Sequence, residues 1–283
     1  MKVINHKSSK DREMIIQPRR SNFSLNLREV WDYRELLWTL TYRDFRIKYA
    51  QTLIGFSWAV INPVFTILIL SFVFGNIAKV GTGSSDVPHI LFTTVGICGW
   101  AYFSSLLGQA GGSIIGAQNM VKKIYFPRLI IPLSKAITSF VDLGVVLFCI
   151  FILMLWYGIS PGKQLVYLPF YLIAAVICGL AGGIWMSALT VRFRDFTHIT
   201  PLLLRLGMYA TPIAYPSSSV PEKYQILFFL NPMAGVIEGV RWSILGGDQP
   251  SSYMYISFIV VLVLLIFGVF YFNKIQTKMA DII

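Results

Sequence analysis

The sequence predicts an all-α integral membrane protein with six transmembrane helices. Three observations carry that prediction. Hydrophobic residues make up 55% of the chain and charged residues only 13%, whereas soluble domains carry about 25% charged residues. Six apolar runs approach the roughly 20 residues that a helix needs to cross a bilayer core. The Lys and Arg residues behind the net charge of +11 cluster between those runs. That distribution argues for membrane topology and against nucleic acid as a partner.

The elements follow in chain order. Residues 1–30 are polar and lack the short apolar core of a signal peptide, so they are read as a cytoplasmic segment. An N-terminal interfacial amphipathic helix is predicted over 31–52. On a helical projection, Leu36, Leu40 and Ile47 share one arc, and Trp38, Tyr42, Phe45 and Tyr49 fall nearly opposite. Arg43, Asp44, Arg46 and Lys48 lie between the two arcs. Two ridges suit a helix wedged between lipid headgroups and another protein surface; the alternative is a plain membrane-surface anchor. The transmembrane domain, residues 53–273, holds spans at about 53–78, 90–108, 133–157, 166–189, 199–215 and 253–272. Between the last two, residues 224–245 are apolar but broken by Asn231-Pro232 and carry Glu238 and Arg241. They read as a re-entrant helical hairpin, because irregular backbone at membrane depth survives only under cover of protein or water. Residues 274–283 are expected to form a cytoplasmic tail.

Orientation follows from the basic residues. Eleven Lys and Arg precede residue 53, and Lys122, Lys123, Arg128, Arg192, Arg194, Lys274 and Lys278 mark the same side. Lys79, Lys163, Lys223 and Arg241 mark the other. An even number of crossings with both termini cytoplasmic fits this bias.

No catalytic constellation is present in the sequence, and none of the three His residues neighbours another. There is no nucleophile elbow, no zinc motif and no phosphate-binding loop, so catalytic residues and bound metal are not expected. Cys98, Cys149 and Cys178 sit in apolar runs and read as small buried hydrophobes. The Gly108–Gly116 and Gly179–Gly183 stretches suit close helix packing, with a hinge as the alternative. The informative exceptions are charges at membrane depth. Asp142 lies well inside the third span, with Lys135 two turns earlier and expected to reach the cytoplasmic rim. Arg205 lies in the fifth span and suggests a watery pathway. Glu238 and Arg241 have the spacing of a structural ion pair.

Several segments together resemble one family. Tyr42-Arg43-Asp44-Phe45-Arg46-Ile47-Lys48-Tyr49-Ala50-Gln51-Thr52-Leu53-Ile54-Gly55 leads into Trp58 and Asn62-Pro63. Phe74-Gly75, Tyr125-Phe126-Pro127-Arg128 with Pro132, and Arg192-Phe193-Arg194-Asp195 follow, then Thr211-Pro212, Tyr215-Pro216 and Asn231-Pro232 with Glu238 and Arg241. In this order they resemble type-2 ABC transporter permeases, Wzm-like, that export O-antigen, capsule or teichoic acid. Residues 1–30 lie outside the resemblance, and Arg205 departs from the neutral polar residue more usual there.

The resemblance implies a homodimer with a continuous channel, two cytoplasmic nucleotide-binding ATPase subunits carrying ATP and Mg, and a lipid-linked polysaccharide as cargo. This chain itself would bind no cofactor and catalyse nothing. Its setting would be lipid of a bacterial inner membrane, and the hairpin would be periplasmic. Trp58, Phe65, Trp100, Tyr102, Arg205, Tyr209 and Tyr215 are channel candidates. Arg43, Asp44, Arg46, Lys48, Lys122, Lys123, Tyr125, Arg128, Arg192, Arg194 and Asp195 are candidates for coupling to the ATPase. The rival readings are a type-2 ABC exporter of drugs or small lipids, a secondary transporter, and a membrane-embedded glycan-modifying transferase. The transferase would need clustered acids or histidines, and the secondary transporter internal repeats.

Overall fold

A computed structural model describes residues 2–5, 14–17, 27–49, 55–83, 87–247, 249–276 and 279. Much of the polar segment 1–30, the motif residues 50–54 and most of the tail beyond Gln276 lie outside the described residues. Strands β1 (Lys2–Asn5) and β2 (Met14–Gln17) pair antiparallel, Val3 opposite Ile16, a ladder that the polarity of 1–30 does not announce. All other regular structure among the described residues is helical.

A short helix α1 (Leu27–Asp32) leads into α2 (Arg34–Tyr49). The first predicted span is α3 (Ser57–Ser71), with Pro63 inside it and a π-helical turn, Phe72–Ile77, at its end. The second is α4 (His89–Gly111), which breaks at Gly112 into α5 (Ser113–Gly116) and α6 (Gln118–Lys123). The third is α7 (Ile130–Tyr157), closed by Gly158 in the left-handed region, where lack of a Cβ is an advantage. The fourth is α8 (Leu168–Arg192), entered through a 3-10 turn at Lys163–Tyr167. Then come α9 (Phe196–Ala210), α10 (Glu222–Phe229), α11 (Pro232–Leu245) and α12 (Met254–Gln276).

Among the described residues, five segments are long and apolar enough to cross a membrane: Ser57–Ile77, His89–Gly111, Ile130–Tyr157, Lys163–Arg192 and Met254–Gln276. The fifth predicted span, 199–215, differs. Its helix α9 stops at Ala210 after 15 residues, about 22 Å at 1.5 Å per residue and short of the ~30 Å hydrocarbon core. The reason is local. Thr211 is extended, and a proline follows it. The break is also held from outside. The Arg241 guanidinium donates to the carbonyls of Pro212 and Ile213 while pairing with Glu238 at 2.9 Å. Asn231 Nδ2 donates to Thr211 Oγ1 at 2.8 Å, and its Oδ1 accepts from Met233 N, which caps α11. Glu238 also accepts from Ser217 N at 3.0 Å. Three scattered sequence motifs, Thr211-Pro212, Asn231-Pro232 and the Glu238–Arg241 pair, therefore converge on one junction.

The helix α4 is the centre of the bundle. In the spanning windows, 72% of α4 is buried, against 11% to 33% for the other four. It packs on α3, α7, α8, α9 and α11. Glycines set how closely. A Cβ on Gly182 of α8 would sit 2.8 Å from Leu107, and one on Gly96 would collide with the carbonyl oxygen of Ile213. At Gly112 and Gly116, by contrast, a Cβ would meet nothing within 4 Å, and these two glycines mark the break between helices.

A second buried cluster lies where α2, α5, α6, the start of α7 and the ends of α8 and α12 meet, with Leu40, Val121, Ile130, Val191 and Phe272 among its members. This brings the candidate coupling segments to one end of the molecule. The buried face of α2 is neither of the two ridges of the projection. It comprises Leu40, Thr41, Asp44 and Tyr49, while Trp38, Tyr42 and Ile47 are exposed. The stripe runs through a charge because α7 supplies the countercharge.

Candidate functional site

Two ion pairs join α2 to α7. Asp44 Oδ2 lies 2.7 Å from Lys135 Nζ and accepts from Ser134 Oγ at 3.0 Å, and Arg43 lies 2.9 Å from Asp44 Oδ1. One turn on, Lys48 Nζ lies 2.6 Å from Asp142 Oδ2. Lys135 is thus held by Asp44 of α2. Burial works against the Asp44 carboxylate, yet the hydrogen bonds and charges of Lys135 and Arg43 outweigh it and leave the pKa lowered.

The second pair opens onto a polar cleft of 440 Å³ between α3, α4, α7 and α9. Its wall carries Asn62, Pro63 and Thr66 from α3, Trp100, Ser104, Ser105 and Gln109 from α4, and Met208 from α9. Lys48 and Asp142 are its charged residues. Ser105 Oγ donates to Asp142 Oδ2 at 2.6 Å, and Tyr49 OH donates to Oδ1 at 3.3 Å. Gln109 Nε2 donates to Ser105 Oγ at 2.8 Å. Pro63, inside α3 and on the cleft wall, cannot donate to the carbonyl of Ala59. A larger groove of 680 Å³ between α3 and α7 is lined by apolar side chains such as Val60, Val64 and Phe148, with no charged group to orient a polar molecule. The smaller cleft is the better candidate on chemistry.

The channel candidates separate into three groups. Trp100 lines the cleft and is 7% exposed. Trp58, Phe65, Arg205 and Tyr209 lie on the exposed faces of α3 and α9 that flank it. Tyr102 is fully buried within the protomer against Phe140, and Tyr215 is half-buried with its hydroxyl donating to the Tyr209 carbonyl at 3.1 Å. Among the coupling candidates, Arg43, Arg46, Lys122, Lys123, Tyr125, Arg192, Arg194 and Asp195 are exposed, and Arg128 is half-buried. Tyr125 OH donates to Glu29 at 3.1 Å. Asp44 and Lys48 turn inward to α7. The sequence reading missed Ser105 and Gln109, whose only signal was polar residues one turn apart inside an apolar run.

A family model for ABC-2 type transporters matches residues 35–245, which runs from α2 to the end of α11. The chain belongs to the ABC-2 type transporter family. Among the relatives of this ABC-2 protein is the O-antigen export system permease protein RfbA of Klebsiella pneumoniae. It is 29% identical over 251 residues, covering 88% of this chain and 95% of the relative. The protein of that name from Myxococcus xanthus is 28% identical, over 75% of this chain and 80% of its own. The polysialic acid transport protein KpsM of Escherichia coli is 23% identical, over 72% and 79%. The matched region contains both ion pairs, the cleft and the Arg241 junction. The ABC-2 chain is thus a multi-pass membrane protein with the Lys48–Asp142 pair on the wall of one cleft and the Glu238–Arg241 pair at the end of α9.

Proposed function

We propose that this chain is the membrane permease subunit of an ATP-driven ABC exporter that moves polysaccharide out of the cytoplasm across a bacterial inner membrane. The observation that carries the reading is the polar cleft. Polar and ionic groups are costly in hydrocarbon and gather where a hydrophilic molecule or water must pass. Amide, hydroxyl and indole groups suit sugars, which offer hydroxyl donors and apolar C–H faces. The relatives named for O-antigen export and polysialic acid transport support the same cargo class.

Two copies complete the path. The cleft is open toward the exposed faces of α3 and α9, and a second copy set against those faces closes it into a channel. Trp58, Phe65, Arg205, Tyr209 and Tyr215 then join Trp100 along the wall, with Tyr102 behind it. In this reading α9 and the chain to Tyr215 make a sixth crossing, and α10 and α11 form the re-entrant hairpin at the exit. Both termini are cytoplasmic, and α2 is the interfacial amphipathic helix. The cargo is lipid-linked. The partner ATPase binds ATP and Mg and docks on the exposed basic residues of α2, α6 and 192–195. A permease for drugs or small lipids would favour the apolar groove as its binding site, and the charge-bearing cleft weighs against it.

The test is assembly with function. The chain is co-expressed with an ABC-type ATPase subunit from the same genome and purified in lipid nanodiscs. The expected result is a complex of two permeases and two ATPases whose ATP turnover rises with lipid-linked polysaccharide. A chain that binds no ATPase, or a complex indifferent to polysaccharide, overturns the reading.

A further inference from the structure

The Lys48–Asp142 pair is more than a tie between helices, because both members line the cleft. Both oxygens of the Asp142 carboxylate accept hydrogen bonds in the state described. Oδ2 accepts from Lys48 Nζ and Ser105 Oγ, each at 2.6 Å, and Oδ1 accepts from Tyr49 OH at 3.3 Å. Two of these three donors are the last two residues of α2, and α2 belongs to a different element from the rest of the cleft wall. One movement of the end of α2 therefore removes both donors together. Ser105 stays, since it stands on the central helix α4.

A carboxylate left at this depth with one donor is unstable until new donors arrive. Among the described residues, the others that line the cleft, such as Asn62, Thr66, Ser104 and Gln109, bring no second cation. A sugar supplies what is missing. Its adjacent hydroxyls donate to carboxylate oxygens, and its C–H groups can pack against the Trp100 ring that lines the same cleft. We propose that Asp142 is a saccharide contact switched by α2: Lys48 and Tyr49 cover it in the state described, and displacement of α2 by the ATPase uncovers it to grip the chain. The inference rests on the polysaccharide reading above and adds the residue that holds the sugar and the element that releases it. The reverse movement returns the ammonium to Asp142 and expels the hydroxyls, so each cycle grips and lets go.

The experiment uses the permease–ATPase complex in native membranes, with a benzophenone amino acid replacing Ser104 as the probe. Capture of the cell's own polysaccharide is read on gels with and without ATP. In the wild-type background capture is expected with ATP and to be several-fold weaker without it. With Lys48→Met, capture without ATP should rise several-fold, and adding Asp142→Asn to that variant should abolish the rise. Tyr49→Phe removes only one donor and should give a smaller rise, which keeps the test alive if Lys48→Met fails to assemble. If wild type captures glycan with ATP but neither Lys48→Met nor Tyr49→Phe changes the ATP-free signal, the switch is wrong and the export reading stands. If wild type captures no glycan in any state, the export reading itself fails.

Discussion

At the scale of single residues, buried charge decides most of what is distinctive. Arg241 is 7% exposed, pairs with Glu238 and donates to two carbonyls after α9. Arg241→Met would take the guanidinium from both carbonyls and from the Glu238 carboxylate, which would keep the Ser217 N–H. Breaking a buried pair from one side costs about 3–5 kcal/mol, so a Tm fall of order 10 °C is expected in detergent. Asp44 offers a pH test. Its pKa is lowered in the fold, so its contribution is present above the unfolded value of about 3.9 and is lost as pH falls through the lower folded value. The Tm gap between wild type and Asp44→Asn should therefore stay constant from pH 5 to 8, on the usual linkage argument, and close only below about pH 4. A gap that closes near neutrality would mean that another group controls the α2–α7 contact.

At the scale of elements, the apolar runs were legible because length and hydropathy are properties of contiguous sequence. Helices α3, α4, α7, α8 and α12 fall within a few residues of the runs that predicted them. What could not be read was which charges meet. Lys135 and Asp142 share a face of α7, and the sequence offered no partner for either; each binds a residue of α2, ninety or more positions away. The buried stripe of α2 was invisible for the same reason, since its charged members become internal only when α7 neutralises them. The end of α9 depended on Arg241 and Asn231, which the sequence places well downstream. Glycine packing was legible in kind but not in place. Gly96→Ala would press a Cβ into the Ile213 carbonyl, while Gly112→Ala meets nothing within 4 Å. The first should destabilise by roughly 1–3 kcal/mol or more, as overpacking does, and the second should be close to neutral. Folded yield by fluorescence-detected size exclusion would separate them; equal yields would mean that the α4 junction is looser than described.

At the scale of the whole molecule, the cleft explains why so many weak sequence signals belonged together. Trp100 and Asn62-Pro63, each ambiguous alone, share one wall with Asp142. The exposed aromatic residues of α3 and α9 flank it, and α2 reaches into it with the ammonium of Lys48. In the proposed reading, the cleft is half of a channel and α2 the lever that ends inside it, with exposed basic residues at the same end of the molecule, which together form one account of ATP-driven export. The most direct measurement places the same benzophenone probe either at Ser104 in the cleft or at Phe148 in the apolar groove, in membranes that are actively exporting. The account predicts polysaccharide cross-linked at Ser104 and none at Phe148. Cross-linking at Phe148 alone, or equally at both positions, would contradict it.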